Sequence, residues 1–291
     1  MSDTRISRLK LSVLACAAGL LVAAAPAALA SPLNLTPLYA GSYASGSGAD
    51  ASFVQIDGNW QGSTVLWNEA TQSYGSGSAI GSYGWGTGLW GRADWQAVQA
   101  AAAGGGGAGA PDIISSWSGL SSAINYGNGC YNGAHSAQWG PATPVPLSQD
   151  SGVCGDDANG NWTSHFEGFI RITEAGLYNF SVLYDDGFFF RLLGLEETLE
   201  IGKDFLNPRD RLGFAEDLFL TPGLYGFELG SWNRLQAGVV DLRYSYQGSD
   251  WTLVDPQNLL PTSAVPEPST LALLLPALAM LGLRRTIGRR A

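Results

Sequence analysis

Apolar and polar positions alternate most cleanly at Val239–Tyr246, where Val240, Leu242, Tyr244 and Tyr246 interleave with Val239, Asp241, Arg243 and Ser245. A period of two over eight residues predicts a half-buried strand. Shorter runs predict strands at Phe166–Thr173, Gly176–Tyr184, Asp217–Leu220 and Leu224–Leu229, with turns at Glu174-Ala175-Gly176 and Thr221-Pro222-Gly223. Phe188–Leu193 is a further strand, hydrophobic on both faces. Earlier in the chain, Ser52–Asp57 and Thr64–Asn68 read as short strands around the turn Asp57-Gly58-Asn59. Helical composition is best from Arg92 to Ala103, where Gly104–Gly107 stops it. Ser31 to Ala51 reads as a loose lead-in, Gly75 to Gly91 as a loop or very short strands, and Gly104 to Ala110 as a flexible connection. Many short strands, Pro/Gly turns and little helix predict an all-β fold, a sandwich or a barrel.

Both ends break this pattern. Arg5, Arg8 and Lys10 precede an apolar run from Leu11 to Ala25, and Ala28-Leu29-Ala30 supplies small residues for cleavage. Residues 1–30 therefore read as a secretory signal peptide. At the other end, Val265-Pro266-Glu267-Pro268-Ser269-Thr270 leads into the apolar run Leu271–Leu283, then Arg284, Arg285, Arg289 and Arg290. As a helix that run would reach only about 20 Å, short of a ~30 Å hydrocarbon core, and Pro276 weakens it further. The arginines would hold the terminus on the cytoplasmic side. Pro266-Glu267-Pro268, the apolar stretch and Arg284-Arg285 resemble the PEP-CTERM sorting signal of exported Gram-negative bacterial proteins. The resemblance implies an exosortase as partner, transient residence in the inner membrane, and a final place in the cell envelope or extracellular matrix. It gives an address and no activity; the alternative at residues 263–291 is a weak stop-transfer anchor.

Between the two signals lie about 235 residues, enough for one sizeable domain or two small ones. They carry 23 acidic against 8 basic residues, a net charge of −15. That balance excludes a nucleic-acid partner, whose phosphates need cationic contacts, and is compatible with bound divalent cations. Cys16 lies in the signal peptide, so Cys130 and Cys154 remain as the natural disulfide of an exported chain. Closing that loop of about 25 residues is worth roughly 3 kcal/mol in the chain-entropy model. The only histidines, His135 and His165, match no usual zinc spacing.

One constellation carries chemistry. In Tyr184-Asp185-Asp186-Gly187-Phe188 two adjacent carboxylates end one apolar strand and open another. Like charges that close need a positive partner, either an arginine or a hard cation such as Ca²⁺. The alternative is an exposed acidic turn in which Gly187 takes a positive φ. The stretch Trp162–Gly194, with Glu174-Ala175-Gly176-Leu177-Tyr178-Asn179-Phe180 before Asp185-Asp186-Gly187, resembles the protective-antigen-14 domain. Thr221–Phe227, Val239–Tyr246 and Val254–Leu260 look like its closing strands and exit, so the likeness spans Trp162 to Leu260. It implies a β-sandwich at residues 112–262, with the Gly/Trp-rich region 31–111 packed on it or part of it. In the lectin members of that family the paired aspartates, often joined by a cis peptide, hold Ca²⁺ that coordinates sugar hydroxyls. Carried over, Asp185 and Asp186 are the ligands and Asn233 in the loop 230–237 is a third; Trp232 is the candidate for stacking on a sugar because its loop adjoins that site. Trp139 and Trp251 are further candidates for stacking. A second acidic cluster, Asp156-Asp157-Ala158-Asn159-Gly160-Asn161, departs from the EF-hand pattern at Gly160 and Gly168 and reads as an Asx-rich turn.

No nucleophile elbow or phosphate loop is present, and nothing singles out a pair of separated carboxylates for glycoside hydrolysis. With a catalytic role disfavoured, the two resemblances imply a non-catalytic binder of extracellular polysaccharide working through Ca²⁺. A structural envelope or biofilm protein with no ligand site is the main alternative, and a glycan-active enzyme the lesser one.

Overall fold

The computed structural model describes residues 32–57, 60, 65–68, 73–76, 89–147, 160–234 and 236–264. The expected signal peptide, the expected sorting motif and apolar run from Pro266 on, the Asp156–Asn159 part of the second acidic cluster and Cys154 lie outside them. Among the described residues no helix is long and apolar enough to cross a membrane.

The chain forms, in order, β1 (Leu33–Asn34), β2 (Tyr39–Ala40), β3 (Ala49–Ile56), β4 (Val65–Asn68) and β5 (Ser73–Ser76). Helix α1 (Arg92–Ala102) follows, then β6 (Ile113–Ser121), β7 (Asn125–Gly127), α2 (Gly129–Ala134), α3 (Ser136–Trp139) and β8 (Thr143–Pro144). The second half is almost wholly strand: β9 (Trp162–Ile172), β10 (Gly176–Asp185), β11 (Gly187–Leu193), β12 (Thr198–Lys203) and β13 (Asp210–Gly213). It ends with β14 (Leu218–Leu220), β15 (Gly223–Asn233), β16 (Val239–Tyr246), β17 (Thr252–Leu253) and β18 (Leu259–Leu260).

Two eight-stranded sheets make a β-sandwich. The first has the order β1-β14-β10-β16-β7-β8, with β13 on β10 and β17 on β16; the second has β12-β11-β15-β9-β3-β6, with β18 on β9 and β2 on β15. The main core lies between them and is strongly aromatic: Phe53, Phe166, Phe180, Phe190, Tyr225 and Phe227 pack with Val182, Leu229, Val240 and Leu242. Phe53 and Phe166 meet edge to face at 5.5 Å, the arrangement the ring quadrupoles favour.

Strand β11 is apolar on both faces because both faces are covered. Phe188 and Phe190 point into the sandwich. Phe189 joins a second core with Val54, Ile56, Leu89, Trp95, Val98 and Trp232, beneath α1. Trp95 and Val98, three residues apart on one helix face, supply α1's share of that core, and Trp95 meets Phe189 at 4.8 Å. After Ala102 the amides of Gly104 and Gly105 bond back to Ala101 and Ala100, with Gly104 at φ 87°, which ends the helix where the glycine run was expected to. A third cluster, Cys130, Tyr131, Leu183, Ala237 and Val239, packs α2 on the outer face of the first sheet.

The early chain differs from the sequence reading. The expected pairing of Ser52–Asp57 with Thr64–Asn68 does not form: β3 lies between β9 and β6, and β4 pairs with β5. The expected loose lead-in supplies β1, β2 and the first residues of β3 to the two sheets. Local spacing suggested a hairpin, but burial of Phe53 and Val54 on both sides of a central strand decides the pairing.

Candidate functional site at the meeting of three sheet crossings

Three connections pass between the sheets at one end of the sandwich: β10 to β11 through Asp186, β12 to β13 through residues 204–209, and β15 to β16 through residues 234–238. The register places them together. Asp185 pairs with Val239 in the first sheet, and Gly187 pairs with Trp232 in the second. The acidic pair therefore sits at a corner where one strand leaves a sheet and the next joins the other.

Asp186 ties all three crossings. Its N–H donates to Trp232 O at 2.9 Å, its carbonyl accepts from Asn207 N at 3.2 Å, and its Oδ2 accepts from Arg234 N at 2.7 Å. The peptide bond between Asp185 and Asp186 is cis. The exposed-turn alternative is not what forms: Asp185 is buried, and Gly187 is not left-handed. Glycine stands there because a Cβ would lie 2.3 Å from Trp232 Cζ2.

Arg209 ion-pairs with Asp185 Oδ2, both side chains being 12% exposed. Burial still pushes the Asp185 carboxyl up to about 6, against the downward pull of Arg209. Burial first, then repulsion from Asp185, holds Asp186 well above the usual carboxylate range despite the Arg234 N–H. The Arg209 bond, the Arg234 N–H and the pull of both arginine charges do not offset the burial of the two carboxyls. Hard carboxylate oxygens in that condition fit a hard divalent cation by donor chemistry. Asn233 ends β15 next to Arg234, is fully buried, and donates Nδ2 to Gly160 O at 2.6 Å, which fixes the orientation of its amide. Asp185 and Asp186 are the residues that would hold such an ion; the amide of Asn233 is placed on Gly160 O.

Two features of the expected site are corrected. The segment 230–237 is not all loop, since β15 runs on to Asn233. Trp232 is consequently a strand residue, fully buried in the second core, with Nε1 donating to Phe205 O at 3.1 Å, and presents no face to a sugar. Gly230 allows this continuation, because a Cβ there would strike the rings of Phe189 and Trp95 at 2.3 and 2.8 Å. Of the other tryptophans, Trp139 packs partly buried against the α2 cluster, and Trp251 is 37% exposed on the first sheet's side, away from the acidic pair.

Sequence reasoning missed Arg209, Arg234, Asn207 and Asn128. Asn128 caps α2 through Oδ1 to Tyr131 N at 2.9 Å and grips the third crossing, accepting from Gly238 N and donating to Gln236 O. An Asn three residues before a buried Tyr was a readable cap signal. Arg209 had none. Phe205 and Gln236, at φ 65° and 44°, put left-handed backbone on both sides of the site.

The structure also aligns Asp50, Glu167, Glu228, Arg191 and Glu200 in one row across five strands of the second sheet. Asp50 accepts from Thr262, while Glu228 is bound by Arg191 and lies 3.3 Å from His165. Glu167 and Glu200 are the exposed acids of the row, and Glu200 is ion-paired with Arg92 and Arg191.

Cys130 is buried; its expected partner Cys154 lies outside the described residues.

No protein-family model matches the chain, and no curated protein matches it. Solved structures with a similar fold include the PA14 domain of the MpAFP antifreeze protein, at 13% identity over 78% of this chain and 97% of that one, with a TM-score of 0.42. The PA14 sugar-binding domain of an RTX adhesin gives 15% identity, 75% and 99% coverage, and a TM-score of 0.41. The epithelial adhesin 6 A domain of Candida glabrata, solved with Galb1-3GlcNAc, gives 12% identity, 79% and 92% coverage, and a TM-score of 0.42.

Proposed function

We propose that this chain is an exported, exosortase-sorted, non-catalytic module that binds extracellular polysaccharide through Ca²⁺ held by Asp185 and Asp186. The observation that carries the reading is the buried acidic pair, fixed by the backbone bonds of Asp186 where three sheet crossings meet, with both carboxyls raised by burial. A bound Ca²⁺ would supply open coordination positions for vicinal sugar hydroxyls. The protein's own part is to hold the carboxylates side by side and partly out of water. The net charge of −15 between the signals suits a neutral glycan over an acidic one.

The test is binding of the mature protein to a glycan panel and to the host's own exopolysaccharide, in Ca²⁺ and in chelator. Affinity should fall at least tenfold in chelator, and Asp185→Asn should behave in Ca²⁺ as wild type does without it, because one charged ligand oxygen is lost. Equal binding in chelator removes calcium from the reading. No binding to any glycan removes the sugar. A structural role is then left, which the three bonds of Asp186 also favour, since they tie the corners together without a ligand.

The address is proposed from the terminal residues. The intact mass of non-reduced protein from cells carrying exosortase should place the ends after Ala30 and near Pro266–Pro268, and peptide mapping should show Cys130 joined to Cys154. A full-length chain that persists whether or not exosortase is present would make the tail a plain anchor, and a free Cys154 thiol would end the disulfide proposal.

A further inference from the structure

Arg209 supplies a positive charge at the acidic pair, and its own bonding is incomplete. It reaches the site from residues 204–209, with its side chain 12% exposed. One terminal nitrogen serves both Asp185 Oδ2 and, at a long 3.5 Å, Ala237 O. Its Nε is buried and meets no acceptor among the described residues. The guanidinium carbon lies 5.6 Å from the Tyr131 ring centre, beyond close stacking. Arg211, two residues on, shows the contrast: one terminal nitrogen is on Ser181 at 3.3 Å and the other on Asp241 at 2.6 Å. A buried donor without an acceptor makes the placement of Arg209 costly, so the pair with Asp185 is one that can be given up.

We infer that Arg209 is a displaceable counter-ion that sets the site's affinity for a divalent cation, holding Asp185 when no cation is bound and leaving it when one is. This rests on the calcium reading above. The guanidinium and a cation need the same carboxylate oxygens, and a unit positive charge beside a divalent ion repels it. The rest of the site has little reason to move, because Asp186 is held by backbone groups of Trp232, Asn207 and Arg234. Release of Arg209 would leave residues 204–207 in place, since Asp204, Phe205 and Asn207 are bonded to Arg92, Trp232 and Asp186.

The experiment titrates the mature protein with Ca²⁺ alone, and with Mg²⁺ for comparison, following heat of binding and melting midpoint for wild type, Arg209→Gln and Arg209→Lys. Arg209→Gln should bind Ca²⁺ about tenfold more tightly than wild type, since a charge-assisted competitor is gone. Arg209→Lys keeps the charge on a shorter, more strongly hydrated group and should fall between the two, a few-fold tighter than wild type. If Arg209→Gln fails to fold, the lysine variant decides alone. Wild-type binding with equal or weaker binding by the folded variants overturns the inference and leaves the calcium reading standing. No response to Ca²⁺ in any of the three overturns both.

Discussion

Asp241→Ala should destabilise the protein by about 3–5 kcal/mol, the range for removing one partner of a buried ion pair. Asp241 lies on the outer face of β16, its side chain only 2% exposed, between Leu183 of β10 and Asn125 of β7 in the register. Its Oδ1 accepts from Arg211 at 2.6 Å and from Arg243 Nε at 3.0 Å, and Oδ2 accepts from the same Nε at 3.1 Å. Deleting the carboxylate strands two guanidiniums that are only 16% and 27% exposed. Partial access to water puts the loss at the lower end of the range. Denaturant midpoints at pH 7 would measure it, and a loss below about 1 kcal/mol would mean that both arginines turn to solvent freely. The effect also reaches the acidic pair. Arg211 pins β13 to β10 and β16, and β13 begins one residue after Arg209, so the variant should also weaken the response to Ca²⁺.

Strands whose faces differ in environment were legible in the sequence. β16 forms over the residues its alternation marked, with Val240 and Leu242 in the core and Asp241 and Arg243 outside. β9 and β10 extend their predicted cores by a few residues, for the same reason. β12 and β13 were missed: Thr198-Leu199-Glu200-Ile201 alternates only briefly, with Leu199 and Ile201 half-buried on the core, and Asp210–Gly213 buries no full face. Trp232 was misread because Gly230-Ser231-Trp232-Asn233-Arg234 breaks the alternation of β15. The break marks a strand covered on both faces, by the sandwich core and by the layer under α1, rather than a loop.

The candidate site was legible by half. Two adjacent carboxylates between apolar strands are conspicuous in any reading, since their burial needs compensation. Which positive group compensates was open between an arginine and a cation. The structure supplies Arg209, 24 residues further along the chain in a polar segment without periodicity. No local pattern carries that information, because the contact depends on where β12 crosses back to β13. Asn233 was placed on a loop and belongs to a strand end, and it is the backbone N–H of its neighbour Arg234 that binds Asp186.

Gly187→Ala should lose about 3 kcal/mol, the upper end of the usual cost of overpacking, and with it most of any stabilisation by Ca²⁺. The added methyl would lie 2.3 Å from Trp232 Cζ2, 2.4 Å from Cε2 and 2.7 Å from Nε1, inside any real carbon contact. The ring has nowhere to go. It is fully buried against Val54, Ile56, Trp95 and Phe189, and its Nε1 is held by Phe205 O. Relief must therefore come from the backbone at Gly187, which carries Asp186 with it and strains that residue's bonds to Trp232, Asn207 and Arg234. Gly133→Ala is the control, since nothing lies within 4 Å of a Cβ there and its helical position should gain a few tenths to about 1 kcal/mol. Melting midpoints of the two variants, each with and without Ca²⁺, separate a wedge at the site from a general effect of adding a methyl group. If Gly187→Ala melts within about 1 kcal/mol of wild type and keeps its calcium response, Trp232 does not brace the acidic pair, and the corner is held by the hydrogen bonds of Asp186 alone.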